Sequence, residues 1–324
     1  MLKKTSASLI KMVTILSDGG YHDGDTIGKK LKMTRSAVWK LIKKLEGYHI
    51  QLDSVKGKGY ALLEPLILLE RNKIKQYLAD EKVDILIFES MPSTNDYLKT
   101  IKNSKSITIC LAEQQTHGRG RLGREWYSPF GKNIYMSCLY PFQKDISELA
   151  GLSLVTSLAI LRTLKEMGVR EKIFVKWPND ISYDSKKLSG SLIEIQAETH
   201  GTSWAVIGVG MNVNMMDDDH HISQAWTSLR KIIGQYVDRN QLCAKLIQHL
   251  IAYWKKFDAQ GFAPFIHEWV SSDCLMHQTI TLNNLDKKIK GKVMGVNEQG
   301  HLLLELADGS MGAFSSGDTS VVKK

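Results

Sequence analysis

Cysteine is scarce in this chain of 324 residues, and the placing of the few that are present excludes two kinds of site. Cys110, Cys138, Cys243 and Cys274 lie far apart, with no CxxC spacing and no histidine cluster nearby. Structural zinc sites use closely spaced cysteines, and small secreted domains pair many of them. We therefore predict neither a zinc site nor a disulfide framework, but reduced and mostly buried thiols.

Long apolar runs are also missing. No stretch approaches the roughly 20 apolar residues that span a bilayer, and the opening Met-Leu-Lys-Lys is followed by polar Thr-Ser-Ala-Ser instead of a signal-peptide core. These features predict a cytoplasmic protein with no membrane partner. The length predicts two or three domains with a sizeable core.

Positive charge is present in excess and is concentrated at the N-terminus. The net charge is +9, and residues 1–60 hold 12 Lys and Arg against 5 Asp and Glu, a net +7. Charge alone favours a solvated surface over a binding partner. A basic N-terminal module is nevertheless the expected form of a polyanion binder.

The N-terminal pattern predicts a winged helix-turn-helix domain. Apolar spacing indicates a helix over 6–17, a short helix over 24–31, and a third helix capped by Thr34 that runs to Glu46. An alternating segment over 50–60 turns at Lys-Gly-Lys-Gly, as a winged hairpin does. Such modules also serve as docking units that read no DNA. The residues that we predict to bind DNA are Thr34, Arg35, Ser36, Lys40, Lys43, Lys56 and Lys58.

The rest of the chain predicts two further domains, which makes the protein a multidomain α+β fold. A linker over 62–71 is followed by strand-like runs and by a long helix through 146–167. From Thr279, short strands punctuated by glycine indicate a small five-stranded barrel of the SH3 kind. The predicted boundaries are 1–63 for the winged helix-turn-helix, 64–271 for the central domain and 272–324 for the SH3-like domain.

The run Gly118-Arg119-Gly120-Arg121-Leu122-Gly123 is the most informative motif. Its glycines let backbone N–H groups approach an anion, and its arginines supply fixed positive charge for phosphate. Taken alone, the run is also compatible with a flexible basic loop. It is not a dinucleotide-binding fingerprint, because the continuation Arg-Glu-Trp-Tyr-Ser-Pro does not readily begin a helix.

Several motifs follow one another in an order that resembles the biotin protein ligases, and the similarity runs through essentially the whole chain. The N-terminal module resembles the repressor module of one subset of that family. The resemblance implies a class II synthetase-like mixed sheet in the central domain. The motifs are Gln114-Gln-Thr-His117, the glycine-arginine run, the Ser-Pro-Phe-Gly turn at Ser128, Lys176-Trp-Pro-Asn-Asp180, Lys187-Leu-Ser-Gly190 and Gly208-Val-Gly-Met-Asn212.

The side-chain chemistry and the family resemblance both indicate Ser93, Thr94 and Asn95 as residues that bind biotin. A ureido ring needs donors and acceptors in a dry pocket, and the run Ser93-Thr94-Asn95 offers them, although it can also cap the helix that follows. The resemblance implies that biotin is bound by Ser93, Thr94, Asn95, Gln115, Gly118, Arg119, Gly120, Arg121, Lys187 and Gly208.

For ATP, joining a carboxylate to a phosphate requires cations, because both reactants are anionic. The resemblance implies that Arg121, Lys187 and Asp180 are catalytic, and the Lys-Leu-x-Gly register favours Lys187 over Lys186. Asp180 is the expected Mg²⁺ contact, with capping of a turn as its alternative. The residues implied to bind ATP or the adenylate are Arg119, Arg121, Trp126, Lys176, Asn179 and Asn212.

These features together predict a bifunctional enzyme and repressor. We expect it to make biotinyl-5'-AMP from biotin and ATP, and then to biotinylate a lysine of the biotin carboxyl carrier protein of acetyl-CoA carboxylase. A homodimer is expected to bind operator DNA of biotin genes. A lipoate or octanoate ligase and a non-catalytic biotin sensor remain alternatives. The adjacent His220 and His221 at a loop tip indicate solvated residues instead of a metal site.

Overall fold

The chain divides into two compact units in a computed structural model. The model describes residues 3–78, 82–101, 106–197, 202–217, 222–284, 287–315 and 317–321. The first unit consists of Met1–Ser137, Gly210–His221 and Ser228–Ala244, and the second of Cys138–Val209, Ile222–Thr227 and Lys245–Lys324. The three-domain boundaries stay a prediction.

The chain contains both helices and strands. The α-helices are α1 (Ala7–Leu16), α2 (Gly24–Leu31), α3 (Arg35–Gly47), α4 (Arg71–Tyr77), α5 (Thr94–Lys99), α6 (Leu152–Glu166), α7 (Leu229–Ile233), α8 (Arg239–Gln260) and α9 (Ile266–Ser272). The strands are β1 (Lys3–Lys4), β2 (Leu52–Val55), β3 (Gly59–Leu62), β4 (Val83–Ser90), β5 (Ile107–Ala112), β6 (Ile134–Phe142), β7 (Ile173–Lys176), β8 (Asp180–Tyr183), β9 (Lys186–Ala197), β10 (Ser203–Met211), β11 (Thr279–Asn284), β12 (Lys287–Val296), β13 (Leu302–Glu305), β14 (Met311–Phe314) and β15 (Asp318–Val321). The longest runs of strands are β7 to β10 and β11 to β15. Short 3-10 turns lie at Arg121–Gly123, Ile146–Leu149 and Ala263–Phe265.

The N-terminal helices form where the sequence predicts them, because each begins at a side chain that caps it. Ser6 accepts from the backbone N–H of Leu9, Asp23 accepts from the first turn of α2, and Thr34 accepts from Ala37 at the start of α3. The apolar faces of the three helices meet in one core. That core contains Leu9, Met12, Val13, Leu16, Ile27, Val38, Ile42, Leu45, Ile50 and Leu62.

The predicted wing is the antiparallel hairpin of β2 and β3, with Val55 opposite Gly59. Its base pairs with the α1–α2 connection, where His22 and Tyr60 exchange two backbone hydrogen bonds of 2.9 Å. Gly59 has φ +103°, and a Cβ there would overlap the backbone of His22. The wing therefore requires glycine at this position.

The first unit continues into a sheet of order β1-β4-β5-β6, in which β4 and β5 are parallel. The segment before α4 is fixed by a fully buried ion pair of 2.7 Å between Arg239 and Glu113. Glu113 accepts from the backbone N–H of Leu69, and Arg239 donates to the carbonyl of Ile67. The predicted linker is therefore pinned to the sheet and is not a loose tether.

The second unit contains strands in the order β6-β10-β9-β8-β7, with 138–142 of β6, and the antiparallel set β14-β13-β12-β11-β15. The five C-terminal strands agree with the predicted strand count, and the SH3-like closure stays a prediction. The predicted helix through 146–167 is wrong at its start. Gly151, with φ +87°, separates a 3-10 turn from α6. Ile146–Glu166 has the length and hydropathy of a membrane span, but 61% of its most apolar window is buried inside the protein, as in a core helix.

Candidate functional site

A polar cluster in the first unit brings together the residues predicted to hold the ureido ring. Gln115 Oε1 accepts from the backbone N–H of Thr94 at 2.8 Å and lies 3.1 Å from its hydroxyl. Ser93, Thr94 and Asn95 are all buried. Ser93 also caps α5 by accepting from Asp96 N–H, so the capping alternative and the cluster coexist.

Two serines complete this cluster, and the sequence reasoning missed both as site residues. The Ser137 hydroxyl lies 2.6 Å from both Thr94 Oγ1 and Asn95 Oδ1. The Gln115 side-chain amide donates to Ser128 Oγ at 3.4 Å. A signal was available for Ser137, because it is a fully buried polar residue in the otherwise apolar run of β6.

The glycine-arginine run is a tight hairpin. Gly120 N–H donates to the Arg124 carbonyl at 2.7 Å, and Trp126 N–H donates to the Gly118 carbonyl at 2.9 Å. Between these bonds, the backbones of Arg119 and Glu125 form an antiparallel β-bridge. Leu122 at the tip has φ +55° and is 73% exposed. Hairpin pairing therefore holds the run in a defined shape and leaves its tip in solvent.

The two arginines of the run are placed differently. Arg119 forms an ion pair of 2.6 Å with Asp96 on α5, which ties the hairpin to the helix that follows the ureido cluster. Arg121 lies half-buried in the 3-10 turn at the tip. Because both side chains of the Arg119 pair are partly exposed, the pair contributes little to stability.

Glycine permits close packing beneath the hairpin. The ring of Trp126 lies against Gly210, where a Cβ would overlap it, and a Cβ at Gly118 would overlap Trp126 and Ser128. Asn212 is buried two residues beyond Gly210, and its carbonyl accepts from Leu229 N–H at 3.1 Å. Trp126 therefore has a fixed position, and any larger residue at Gly210 would displace it.

The second unit brings Lys187 and Asp180 together. Lys187 Nζ lies 2.8 Å from Asp180 Oδ1, and both side chains are mostly buried. Gly190 faces them, since a Cβ there would come within 3.1 Å of both side chains. Lys186 is exposed. The motif register and the geometry therefore agree on Lys187 as the lysine beside the carboxylate.

The Lys-Trp-Pro-Asn-Asp motif connects β7 to β8, so Asp180 begins a strand that the sequence did not predict. Lys176 is half-buried and pairs in register with Asp180. Asn179 is buried and donates to the carbonyl of Ser191 at 2.6 Å. Trp177 Nε1 donates to the Gly300 carbonyl at 3.2 Å. Gly208 is buried within β10.

A magnesium ion fits this site only as a partner of phosphate. Among the residues that the structure describes, no three His, Cys, Asp or Glu side chains are grouped as metal ligands. The Asp180 carboxylate is a hard oxygen donor, and Mg²⁺ commonly takes one or two carboxylates together with substrate phosphates and water. Asp180 is the residue that would hold it. The predicted solvated histidines, His220 and His221, lie outside the described residues.

The winged helix-turn-helix presents every residue that was predicted to bind DNA on its surface. The exposed residues are Thr34 at the N-cap of α3, Arg35, Ser36, Lys40 and Lys43 on α3, and Lys56 and Lys58 in the wing. Lys43 pairs with Glu46 Oε2 at 2.6 Å, and Lys58 lies 5.8 Å from the ring centroid of Tyr21. This surface has the cations that a phosphate backbone requires.

The C-terminal end of α3 points inward instead. Lys44 and the Tyr48 hydroxyl both bind Glu89 on β4, the tyrosine at 2.6 Å, and Glu89 is 2% exposed. Burial and this hydrogen bond raise the pKa of Tyr48 well above its ordinary value. A cavity of about 950 Å³ is lined both by residues 48–52 and by Gln115 and Ser128. The DNA-binding module therefore borders the ureido cluster.

Family models match three parts of the chain. The biotin/lipoate A/B protein ligase family matches residues 87–212, an HTH domain matches 8–61, and a biotin protein ligase C-terminal domain matches 278–322. These ranges include the ureido cluster, the glycine-arginine hairpin and the Lys187–Asp180 pair.

Relatives resemble the chain over its whole length. The bifunctional ligase/repressor BirA of Salmonella typhimurium is 36% identical over 322 residues, which is 99% of each chain. The protein of the same description from Escherichia coli is 36% identical over 96% of each chain. The structure of a biotin protein ligase from Aquifex aeolicus in complex with biotin and ATP is 30% identical with a TM-score of 0.65, covering 74% of this chain and 99% of that one.

Proposed function

This chain belongs to the biotin protein ligase family, in the group of bifunctional ligase/repressors, and from that premise we propose how its residues divide the work. It is an ATP-dependent biotin ligase that also represses transcription. Its substrates are biotin and ATP, used with Mg²⁺. The acceptor is a biotin carboxyl carrier protein, and the winged helix-turn-helix binds DNA.

The first half-reaction makes the biotin carboxylate electrophilic. A carboxylate oxygen attacks the α-phosphorus of ATP, the bond to the β-phosphate oxygen breaks, and pyrophosphate leaves with that electron pair. The product is biotinyl-5'-AMP. Since both reactants are anionic, positioned cations carry much of the catalysis.

The ureido ring of biotin is bound by the buried polar cluster. The Gln115 side-chain amide has one oxygen that accepts and one NH2 group that donates. In the structure the oxygen accepts from Thr94 and the NH2 group donates to Ser128, and the ureido ring offers the same two kinds of partner. Asn95 and Ser137 provide a second pair of polar atoms, and Ser93 fixes the start of α5. Bound biotin replaces contacts within the cluster, because buried polar groups must keep partners.

The cationic residues bind the phosphate and the carboxylate. Arg119 and Arg121 bind phosphate oxygens, with Arg121 at the α-phosphate. Lys187 binds the carboxylate or the adenylate carbonyl, and Asp180 holds the Lys187 ammonium in position. Asp180 would also hold the magnesium ion, which would neutralise charge on the ATP phosphates. Trp126 covers the adenylate over Gly118 and Gly210. Lys176, Asn179 and Asn212 complete the nucleotide contacts, and Gly208 lets the backbone approach biotin.

The second half-reaction transfers the biotinyl group. The ε-amine of the carrier lysine attacks the acyl carbon of the adenylate, AMP leaves, and the amine loses a proton as the amide forms. The hairpin over 118–126 shields the mixed anhydride from water until the carrier arrives. The carrier is that of acetyl-CoA carboxylase.

The same chain regulates its own supply of substrate. The adenylate favours a cytoplasmic homodimer, and the dimer binds a two-fold operator of biotin genes. By linkage, dimerisation and adenylate binding strengthen each other, typically by about 1–3 kcal/mol. Sedimentation in the presence and absence of biotin and ATP measures this coupling, and identical dimerisation in both states would remove it.

The observation that best supports the ligase assignment is the Thr94–Gln115–Ser128 chain of hydrogen bonds beside Asn95 and Ser137. We expect the purified protein, given biotin, ATP and Mg²⁺, to increase the mass of a carrier domain by one biotinyl group. Gln115→Ala should raise the KM for biotin more than that for ATP. Transfer of a lipoyl or octanoyl group in place of biotin would redirect the assignment to that branch of the family.

A further inference from the structure

Trp39 is exposed on the helix that presents the DNA-binding lysines. It lies in the first half of the 13-residue helix α3 and is 51% exposed, whereas Val38 and Ile42 on the same helix are buried. A single exposed apolar side chain is ordinary on any protein surface. The neighbours of Trp39 make this one informative.

Exposed cations and a hydroxyl lie near Trp39 along α3. Arg35 and Ser36 precede it by about one helical turn, Lys40 is adjacent and Lys43 follows by one turn, and all four are exposed. Residues three and four apart are neighbours on a helix surface. Lys43 Nζ lies 6.0 Å from the Trp39 ring centroid. The ring is therefore the apolar centre of a positively charged helix face.

A protein partner would match this face poorly, and double-stranded DNA matches it well. Covering Trp39 with an apolar protein surface would also desolvate the surrounding cations, which is costly unless each is paired. The major groove offers phosphates to the lysines on either side and base edges, including the thymine methyl, to the ring. The first half of a recognition helix is the part that contacts bases.

We propose that Trp39 is a specificity-determining residue of the repressor, whose ring contacts base edges in the major groove while Arg35, Lys40 and Lys43 contact phosphates. The inference deepens the DNA-binding function, because the cationic residues set affinity for any duplex and Trp39 selects the sequence. Phosphate contacts carry no sequence information by themselves.

The experiment uses full-length protein with biotin, ATP and Mg²⁺. Duplexes that the wild type prefers are first selected from a random-sequence library. The dissociation constants for a selected duplex and for a scrambled duplex of equal length are then measured over a range of salt concentrations. The variants are Trp39→Ala, Trp39→Phe and Lys43→Ala. Tyr77→Ala is the matched control, since Tyr77 is 48% exposed on α4, outside the winged helix.

We expect Trp39→Ala to reduce the preference for the selected duplex by at least about fivefold, the lower end of the loss for one base contact. Its salt dependence should match that of the wild type, because no phosphate contact is lost. Trp39→Phe should keep most of the preference. Lys43→Ala should weaken binding to both duplexes alike and flatten the log-log salt slope by about 0.9. Tyr77→Ala should change neither quantity.

Four outcomes overturn the proposal. An unchanged preference in both Trp39 variants would place the ring outside the groove. Weaker binding to both duplexes in equal proportion would assign Trp39 a non-specific role. Changed self-association in sedimentation, with the preference intact, would assign the ring to a contact between copies of this chain. Recovery of no preferred duplex by the wild type would leave no specificity for Trp39 to determine, which also overturns the proposal. Since the Trp39 ring is exposed, thermal unfolding of both Trp39 variants should match the wild type.

Discussion

The rings of Tyr48 and Phe130 are stacked, with centroids 4.1 Å apart and an angle of 6° between their planes. Tyr48 is the C-cap residue of the recognition helix, and Phe130 lies two residues after Ser128 in the Ser-Pro-Phe-Gly turn. The Tyr48 hydroxyl also donates to Glu89, near the end of the strand that leads to Ser93. One side chain therefore contacts the turn that carries Ser128 and the strand that leads to Ser93, which are two of the segments that supply the ureido cluster.

Tyr48 gives a direct prediction about regulation. Tyr48→Ala removes the stack and the hydrogen bond, so we expect operator affinity to depend much less on biotin and ATP than in the wild type. Tyr48→Phe keeps the stack and should retain most of that dependence. Gel-shift titrations with and without both substrates measure it. Equal dependence in the alanine variant and the wild type would show that the contact is only structural.

Lys187 should be required for adenylation. Lys187→Ala removes the cation beside Asp180, and we expect kcat for biotin-dependent pyrophosphate exchange to fall by roughly 100-fold or more, as when one transition-state donor is lost. Lys186→Ala, one residue earlier and exposed, should stay near the wild-type rate. Equal losses in the two variants would mean that positive charge in general, and not the Lys187–Asp180 pair, carries the effect.

The ion pair of Arg239 and Glu113 should govern stability without touching substrate. Both side chains are fully buried, so Glu113→Gln leaves a buried guanidinium without its counter-charge and should lower the free energy of unfolding by about 3–5 kcal/mol. The double variant Glu113→Gln with Arg239→Met should recover part of this loss. Urea unfolding provides the values, and a double variant less stable than Glu113→Gln would contradict the argument.

Asp273 predicts a pH dependence of stability. Burial raises the pKa of this carboxyl to about 6, against the lowering effects of the Leu275 backbone N–H, Trp269 and Lys176. The folded state therefore binds this proton more tightly than the unfolded state does. The stabilising contribution is complete below about pH 4, the ordinary carboxyl value, and is lost as the pH rises through 6.

Asp273→Asn removes the ionisation and should be more stable than the wild type at pH 7–8 by up to about 3 kcal/mol, from the shift of roughly two pKa units. The difference should shrink toward pH 4. Urea unfolding of both proteins across this range tests it. A variant that is destabilised equally at every pH would show that Asp273 stays ionised in the fold.

The local sequence predicted the winged helix-turn-helix closely, because its signals are local. The capping by Thr34 and the glycine turn of the wing act within a few residues, and the structure begins α3 at Arg35. The break at Gly151 was missed, since apolar periodicity continues through a residue whose backbone conformation ends the helix. Strand β8 was missed because the proline motif before it indicates a turn.

The contacts between side chains in the candidate site were harder to predict than the identities of the site residues. The sequence motifs identified most members of the ureido cluster. Ser137 joins the cluster from β6, more than 40 residues from Thr94, and no local sequence pattern connects these two residues. Glu89 and Tyr48 similarly meet only through tertiary packing. Periodicity identifies buried faces, and it does not identify which polar side chains meet across them.

The central claim is that this chain joins biotin to AMP, and pyrophosphate exchange tests it most directly. With purified protein, Mg²⁺ and ATP, labelled pyrophosphate should enter ATP when biotin is added and remain free without it or with lipoate in its place. Gln115→Ala and Lys187→Ala should reduce the exchange. Exchange that needs lipoate, or none with biotin under these conditions, would contradict the account.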